Sequence, residues 1–151
     1  MKRILVPMGA WRVEQPPATL VVLGLGSCVC VIAHDPVARI AGLAHILLPD
    51  SEQARGPHDS SRFADVGLTE MIGELAERGA RPPHVVVHLA GGARMIDSAA
   101  RDRAIGPRNV AAVKGYLRTL SVRVISDDTG GTRARSVSFD VETGKLEIRT
   151  L

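Results

Sequence analysis

One cysteine with a glycine-rich approach, and one histidine downstream of it, are the residues best suited to carry chemistry. The segment Gly24-Leu25-Gly26-Ser27-Cys28-Val29 sets two glycines and a serine ahead of a thiol. Glycines there let the backbone turn sharply, present the sulfur at the start of a strand and aim N–H groups at one point. An oxyanion hole needs that arrangement, with Gly26 and Ser27 beside the thiol as its backbone donors. A thiol also needs a nearby base or positive electrostatics to become a good nucleophile at neutral pH. His45 lies in a second extended segment, joined to the first through Asp35-Pro36, so the two strands should run side by side. The competing reading is structural. Free cysteine is among the most buried residue types, Cys30 is best read as a small core residue, and a lone histidine is commonly a hydrogen-bonded core group.

A metal centre is the next chemistry to weigh. Cys28, Cys30, His34 and His45 are ligand types that zinc favours, but no C-x₂-C pair is present. His84 and His88 have H-x₃-H spacing, yet they flank the strand-like Val85-Val86-Val87, where they would stand roughly 13 Å apart. No metal and no cofactor are therefore expected. Gly91-Gly92 and Gly130-Gly131 end apolar runs without the residues of a phosphate loop. Gly91 and Gly92, with Asn109, read either as the rim of a substrate groove or as turns and caps.

The elements that must position these groups follow from periodicity. Strands are expected over 18–23, 29–33 and 39–48, with 29–33 apolar enough to be buried on both faces. Polar residues 49–62 read as a loop and a candidate lid. Leu68, Met71, Ile72, Leu75 and Ala76 share one face of a helix that Gly79 ends at C′. A strand over 85–90 and a charged linker precede a second helix, with Pro107 suited to its first position and Val110, Val113, Leu117 and Leu120 buried. A strand over 122–126 and a C-terminal hairpin turning at Thr143-Gly144 complete the chain. The fold class is α+β: a single domain, 1–151, of layered mixed β-sheets packed with two to three helices.

Composition narrows the partners. With 45% apolar residues a core can form, but only 3% are aromatic, so Val, Leu, Ile and Ala must build it. The net charge is +3, from 16 Arg and 3 Lys against 16 acids, with no basic run and four scattered aromatics. Nucleic-acid binding is not expected on that pattern. No stretch is apolar enough to insert in a membrane, and Pro7 and Gly9 break the N-terminal segment before it could serve as a signal peptide. The cytoplasm, where both thiols stay reduced, is the expected compartment.

Taken in order, the motifs resemble the CheD family of chemoreceptor glutamine deamidases. They are Leu23-Gly-Leu-Gly-Ser-Cys28-Val29, Ala44-His45-Ile-Leu-Leu-Pro49-Asp50-Ser51, Gly91-Gly92-Ala93-x-Met95 and Ile105-Gly106-x-Arg108-Asn109-Val110. Asp128-Thr129-Gly130-Gly131-x-Arg133-x-Arg135-Ser136-Val137 and Thr143-Gly144-Lys145 follow, so nearly the whole chain is covered. The resemblance implies a fold like the bacterial cytotoxin deamidases and conversion of glutamines on methyl-accepting chemotaxis receptors to glutamates. The target would be the receptors' cytoplasmic helical domain. It implies Cys28 as nucleophile and His45 as its proton-transfer partner, working through a thioester. It also implies a CheC-type phosphatase as a partner. Where the family has a third catalytic residue, a threonine six places before the cysteine, this chain has Val22, which cannot hydrogen-bond to His45. Leu47 replaces the usual Met. The alternatives are an adaptation module that binds receptor or CheC-type phosphatase with little catalysis, and a receptor methyl esterase.

Overall fold

Chain order alone does not say which strands become neighbours; burial does. In the computed structural model, which describes residues 2–47, 63–95 and 104–151, nine strands form two sheets. They are β1 (Lys2–Leu5), β2 (Trp11–Glu14), β3 (Ala18–Leu25), β4 (Val29–Asp35) and β5 (Ile40–Ile46), followed by β6 (Val86–Gly91), β7 (Arg123–Thr129), β8 (Arg135–Asp140) and β9 (Leu146–Thr150). Helices α1 (Ala64–Glu77) and α2 (Ile105–Leu120) complete the described elements, with a 3₁₀ turn at Pro82–His84. The order β2-β5-β4-β6-β7 makes one sheet and β1-β3-β8-β9 the other.

The five-stranded sheet is the middle of three layers. Val29, Val31 and Ala33 of β4 face α1 and α2, packing with Leu68, Met71, Leu75, Val113 and Leu117. Cys28, Cys30 and Ile32 face the other way, into a second core shared with Leu20, Val22, Val137 and Phe139 of the smaller sheet. All seven residues of β4 are consequently buried, which its unbroken apolar run requires. The α+β layering expected from the sequence is what the structure has.

The β4–β5 turn fixes the register on which the site depends. Asp35 is fully buried, and its carboxylate accepts the N–H groups of Val37, Ala38 and Arg81 at 2.9, 3.0 and 2.8 Å. Those bonds hold its pKa below the usual carboxylate value against the opposing effect of burial. An aspartate bonding the amides just ahead of it builds the turn locally, and the register then runs Asp35↔Ile40 through Cys30↔His45 to Val29↔Ile46.

Several boundaries differ from expectation. Strand β3 continues past Leu23 to Leu25 through a bulge, because Gly24 takes φ +65° and lets pairing with β8 resume at Leu25↔Arg135. β5 ends at Ile46 and begins at Ile40, since Arg39 adopts a left-handed φ of 56°. β7 extends through the polar Asp127-Asp128 to Thr129, held by its parallel pairing with β6. Helix α2 starts at Ile105, so Pro107 is not its first residue but lies inside the first turn, where no helical N–H partner is needed. On α1, Ala76 is exposed rather than buried, while Gly79 does sit at C′ with φ +108°. Strands β1 and β2 were not anticipated at all. The candidate lid over 49–62 and the part of the linker at 96–103 lie outside the described residues.

Candidate active site

Cys28 sits in the bend that joins β3 to β4, one residue before β4 begins. Every carbonyl of that bend is taken. Ala93 N–H donates to Gly26 O at 2.9 Å, Asn109 Nδ2 to Ser27 O at 3.0 Å and Gly92 N–H to Cys28 O at 2.8 Å. In each planar peptide the next residue's amide points away from its carbonyl, so the amides of Ser27 and Cys28 point away from the partners that hold the Gly26 and Ser27 carbonyls. The Cys28 N–H lies against its own sulfur, where it favours the thiolate.

His45 stands across from Cys30 in the β4–β5 ladder. Continuing that register sets Cys28 on the same face as His45, its diagonal neighbour, at roughly 7–8 Å between backbones. An imidazole can span that interval. The structure brings the two side chains onto one face of the sheet but not into a hydrogen bond, because among the described residues His45 Nε2 has no partner. Both are buried, at 5% exposure each.

The tautomer of His45 follows from its other nitrogen. Nδ1 lies 3.0 Å from Val6 O, which can only accept, so Nδ1 carries the proton and Nε2 is left with a free lone pair. Backbone bonds from Gly9 N–H to His45 O and from His45 N–H to Ala10 O, both 2.9 Å, secure the same strand to the β1–β2 connection. Burial pulls the His45 pKa below its ordinary value, an effect the Val6 bond opposes. Burial pushes the Cys28 thiol up to about 11. At neutral pH the thiol and the imidazole on this face are thus both neutral.

Val22, at the position where the family resemblance calls for threonine, is 1% exposed among the apolar side chains between the sheets. Its missing hydroxyl leaves no gap in the orientation of His45, because the Val6 carbonyl does that work. Nothing in the side-chain pattern of the N-terminus signals this role, since the contributing atom is backbone.

Asn109 is fully buried, a brace behind the bend rather than a wall of an open groove. Its amide nitrogen donates to both Ser27 O and Leu47 O, at 3.0 and 3.1 Å, and two carbonyl acceptors leave no ambiguity about which atom is nitrogen. One side chain therefore ties the cysteine bend to the end of the histidine strand. Gly91 and Gly92 are buried too, with φ of 101° and 64°. A Cβ on Gly91 would stand 2.3 Å from Cys28 O, so only glycine lets β6 approach the bend. Arg135 holds the outer side of this turn, its guanidinium reaching Gly91 O at 3.3 Å and Gly130 O at 2.8 Å.

The metal reading finds no support among the described residues, where no cluster of three or more His, Cys, Asp or Glu could hold an ion. His34 and His88 instead pack their rings against Phe139, with centroids 5.1 and 5.7 Å away. Among the described residues no helix is long and apolar enough to cross a membrane.

Residues 47–150 match the family model described as CheD chemotactic sensory transduction. The chain is similar to a chemoreceptor glutamine deamidase CheD of Thermotoga maritima, 41% identical over 99% of this chain and 92% of that one. A protein of Moorella thermoacetica named as a probable chemoreceptor glutamine deamidase CheD is 39% identical over the same shares. A chemoreceptor glutamine deamidase CheD of Halalkalibacterium halodurans is 40% identical over 97% of this chain and 92% of that one.

Proposed function

The chain belongs to the CheD family, and on that premise we propose that it deamidates glutamines on the cytoplasmic helical domain of chemoreceptors, with Cys28 as nucleophile. The observation that carries this reading is the tautomer of His45. A base whose Nδ1 proton is held by Val6 O offers Nε2, buried and unpartnered, on the face it shares with the thiol.

As the Cys28 sulfur attacks the side-chain carbonyl carbon of a bound glutamine, its proton passes to His45 Nε2. The amides of the Gly26–Ser27 bend receive the developing oxyanion. Protonated His45 then gives that proton to the departing nitrogen, ammonia leaves, and a thioester joins Cys28 to the substrate. Water adds to the thioester with His45 again taking a proton, and collapse releases glutamate and restores the thiol. No cofactor is required. The reaction belongs in the cytoplasm, and a CheC-type phosphatase is the second partner that the family suggests.

Ammonia release from a receptor cytoplasmic fragment tests the proposal. The wild-type chain should release it, and Cys28→Ala, with its fold unchanged by circular dichroism, should release none above background. Equal release by both would remove Cys28 from the nucleophile's role.

A further inference from the structure

Arg135 belongs to a motif that the proposed chemistry leaves unused. It opens β8, stands opposite Leu25 of β3, and sends its side chain across to the turns that end β6 and β7 in the other sheet. At 7% exposure, a cation is costly unless its surroundings replace water. Carbonyls do so here. Nη1 donates to Gly91 O and to Arg133 O, both at 3.3 Å, and Nη2 donates to Gly130 O at 2.8 Å. Asp128 supplies a countercharge from a half-exposed side chain, its Oδ2 3.5 Å from Nε. Nε makes no hydrogen bond, so the hydrogen bonds of this guanidinium all go to main-chain oxygen.

Of these oxygens, Gly91 O leads to the site. It belongs to the same peptide group as the Gly92 N–H, and that N–H donates to Cys28 O at 2.8 Å. The Gly130 N–H also donates to Gly91 O, at 2.9 Å. One planar peptide therefore stands between a full positive charge and the backbone of Cys28. A cation at its oxygen draws electron density from its nitrogen, which makes the N–H a stronger donor to Cys28 O. Gly91 and Gly92 flank that peptide with φ of 101° and 64°, and a pair of glycines offers little torsional resistance to its rotation. The bonds at its two ends are what hold it.

We propose that Arg135 is a positioning residue for the candidate nucleophile, its charge acting through the Gly91–Gly92 peptide to hold the carbonyl of Cys28. Arg135 works on the main chain of that residue and not on its sulfur. A small displacement of a reacting group is enough to cost a large part of the rate, so the relay is felt in turnover. Its effect on turnover rests on the deamidase reading; the relay of hydrogen bonds does not.

The test separates the two. In the wild-type chain, NMR should detect the scalar coupling that passes through the hydrogen bond from Gly92 N to the Cys28 carbonyl carbon. Its absence would overturn the relay before any variant is made. Arg135→Lys keeps the charge, whereas Arg135→Gln keeps amide donors without it. In Arg135→Gln the coupling should weaken and the Gly92 amide should exchange with solvent about tenfold faster or more, with Arg135→Lys closer to wild type. Ammonia release from a receptor cytoplasmic fragment, assayed well below every variant's thermal midpoint, should follow the same order. There kcat should fall about tenfold or more in Arg135→Gln with KM unchanged, and Arg135→Lys should recover much of it. An Arg135→Gln protein that exchanges and turns over like wild type would overturn the proposal, as would a folded Arg135→Lys protein that loses as much as Arg135→Gln or more than about tenfold. A wild-type chain that shows the coupling and the exchange response but releases no ammonia would keep the relay and overturn the deamidase reading instead.

Discussion

At the scale of single residues, the neutral resting pair sets the pH behaviour. His45 titrates below the ordinary imidazole value of 6.5 because it is buried, and only its neutral form can accept the Cys28 proton. The acid limb of kcat/KM should therefore fall with an apparent pKa below about 6.5, rather than at or above it. His45→Ala should remove that limb and leave a weak rate that climbs with hydroxide toward the thiol's own value of about 11. A profile centred above 7 would instead point to a preformed thiolate–imidazolium pair. Val22→Thr should change kcat by less than about threefold, since Val6 O already holds Nδ1, and should lower stability where a hydroxyl is buried without a partner, by about 1–3 kcal/mol. A large gain in kcat on that substitution would show that the Val6 carbonyl is an inadequate substitute. Cys28 and His45 stand out in the sequence as candidates by glycine context and strand pairing, and their proposed roles come from the family resemblance. Val6 does not stand out, because its contribution is a carbonyl oxygen that every residue possesses.

At the scale of elements, the site is a junction held from behind. Asn109 on α2 reaches both the cysteine bend and the residue after β5, so Asn109→Leu should leave Ser27 O and Leu47 O buried without donors. Each orphaned carbonyl costs about 1–3 kcal/mol, and kcat should fall together with the denaturation midpoint. Gly91→Ala should be worse than its size suggests. Its methyl meets Cys28 O, its φ lies in the left-handed region, and the displacement falls on the proposed nucleophile. Activity should drop by more than tenfold, read beside the thermal midpoint to separate local from global damage. The sequence announced α1 and β8 by the regular stripe each buries, and β4 and β5 by apolar runs that are buried throughout. It did not announce β1 and β2, four residues each, whose burial alternates too briefly to rise above the surrounding polar residues. It also stopped β3 and β7 too early, at Gly24 and at Asp127, where a bulge and a parallel partner carry extended structure past residues that ordinarily end it.

At the scale of the molecule, the middle sheet explains both the site and its cost. Its inner face gathers Cys28, Cys30, His34, His45 and His88 in one core or at its margin, and burial disfavours the charged form of each. The three histidines have folded pKa values below 6.5, so the unfolded chain binds protons first as pH falls, and stability should decline as pH drops below about 6.5. The thiols act with the opposite sign. Their folded values are raised, so the unfolded chain loses protons first and stability should decline again above the ordinary thiol value of 9.0. Urea midpoints at pH 5, 7.5 and 10 should be highest at the middle value, each group contributing at most about 1.4 kcal/mol per pH unit across its interval. The α+β layering could be read from element types, but which face of which sheet stays open depends on long-range pairing that no local pattern records. The most direct test of the central claim is the intact mass of a receptor cytoplasmic fragment after incubation with the wild-type chain or Cys28→Ala, in ordinary and in ¹⁸O water. Thioester hydrolysis predicts a gain of about one mass unit per site in ordinary water and about three in ¹⁸O water, mapped to glutamine and dependent on Cys28. An unchanged mass with the fragment bound, or a gain that persists in Cys28→Ala, would contradict it.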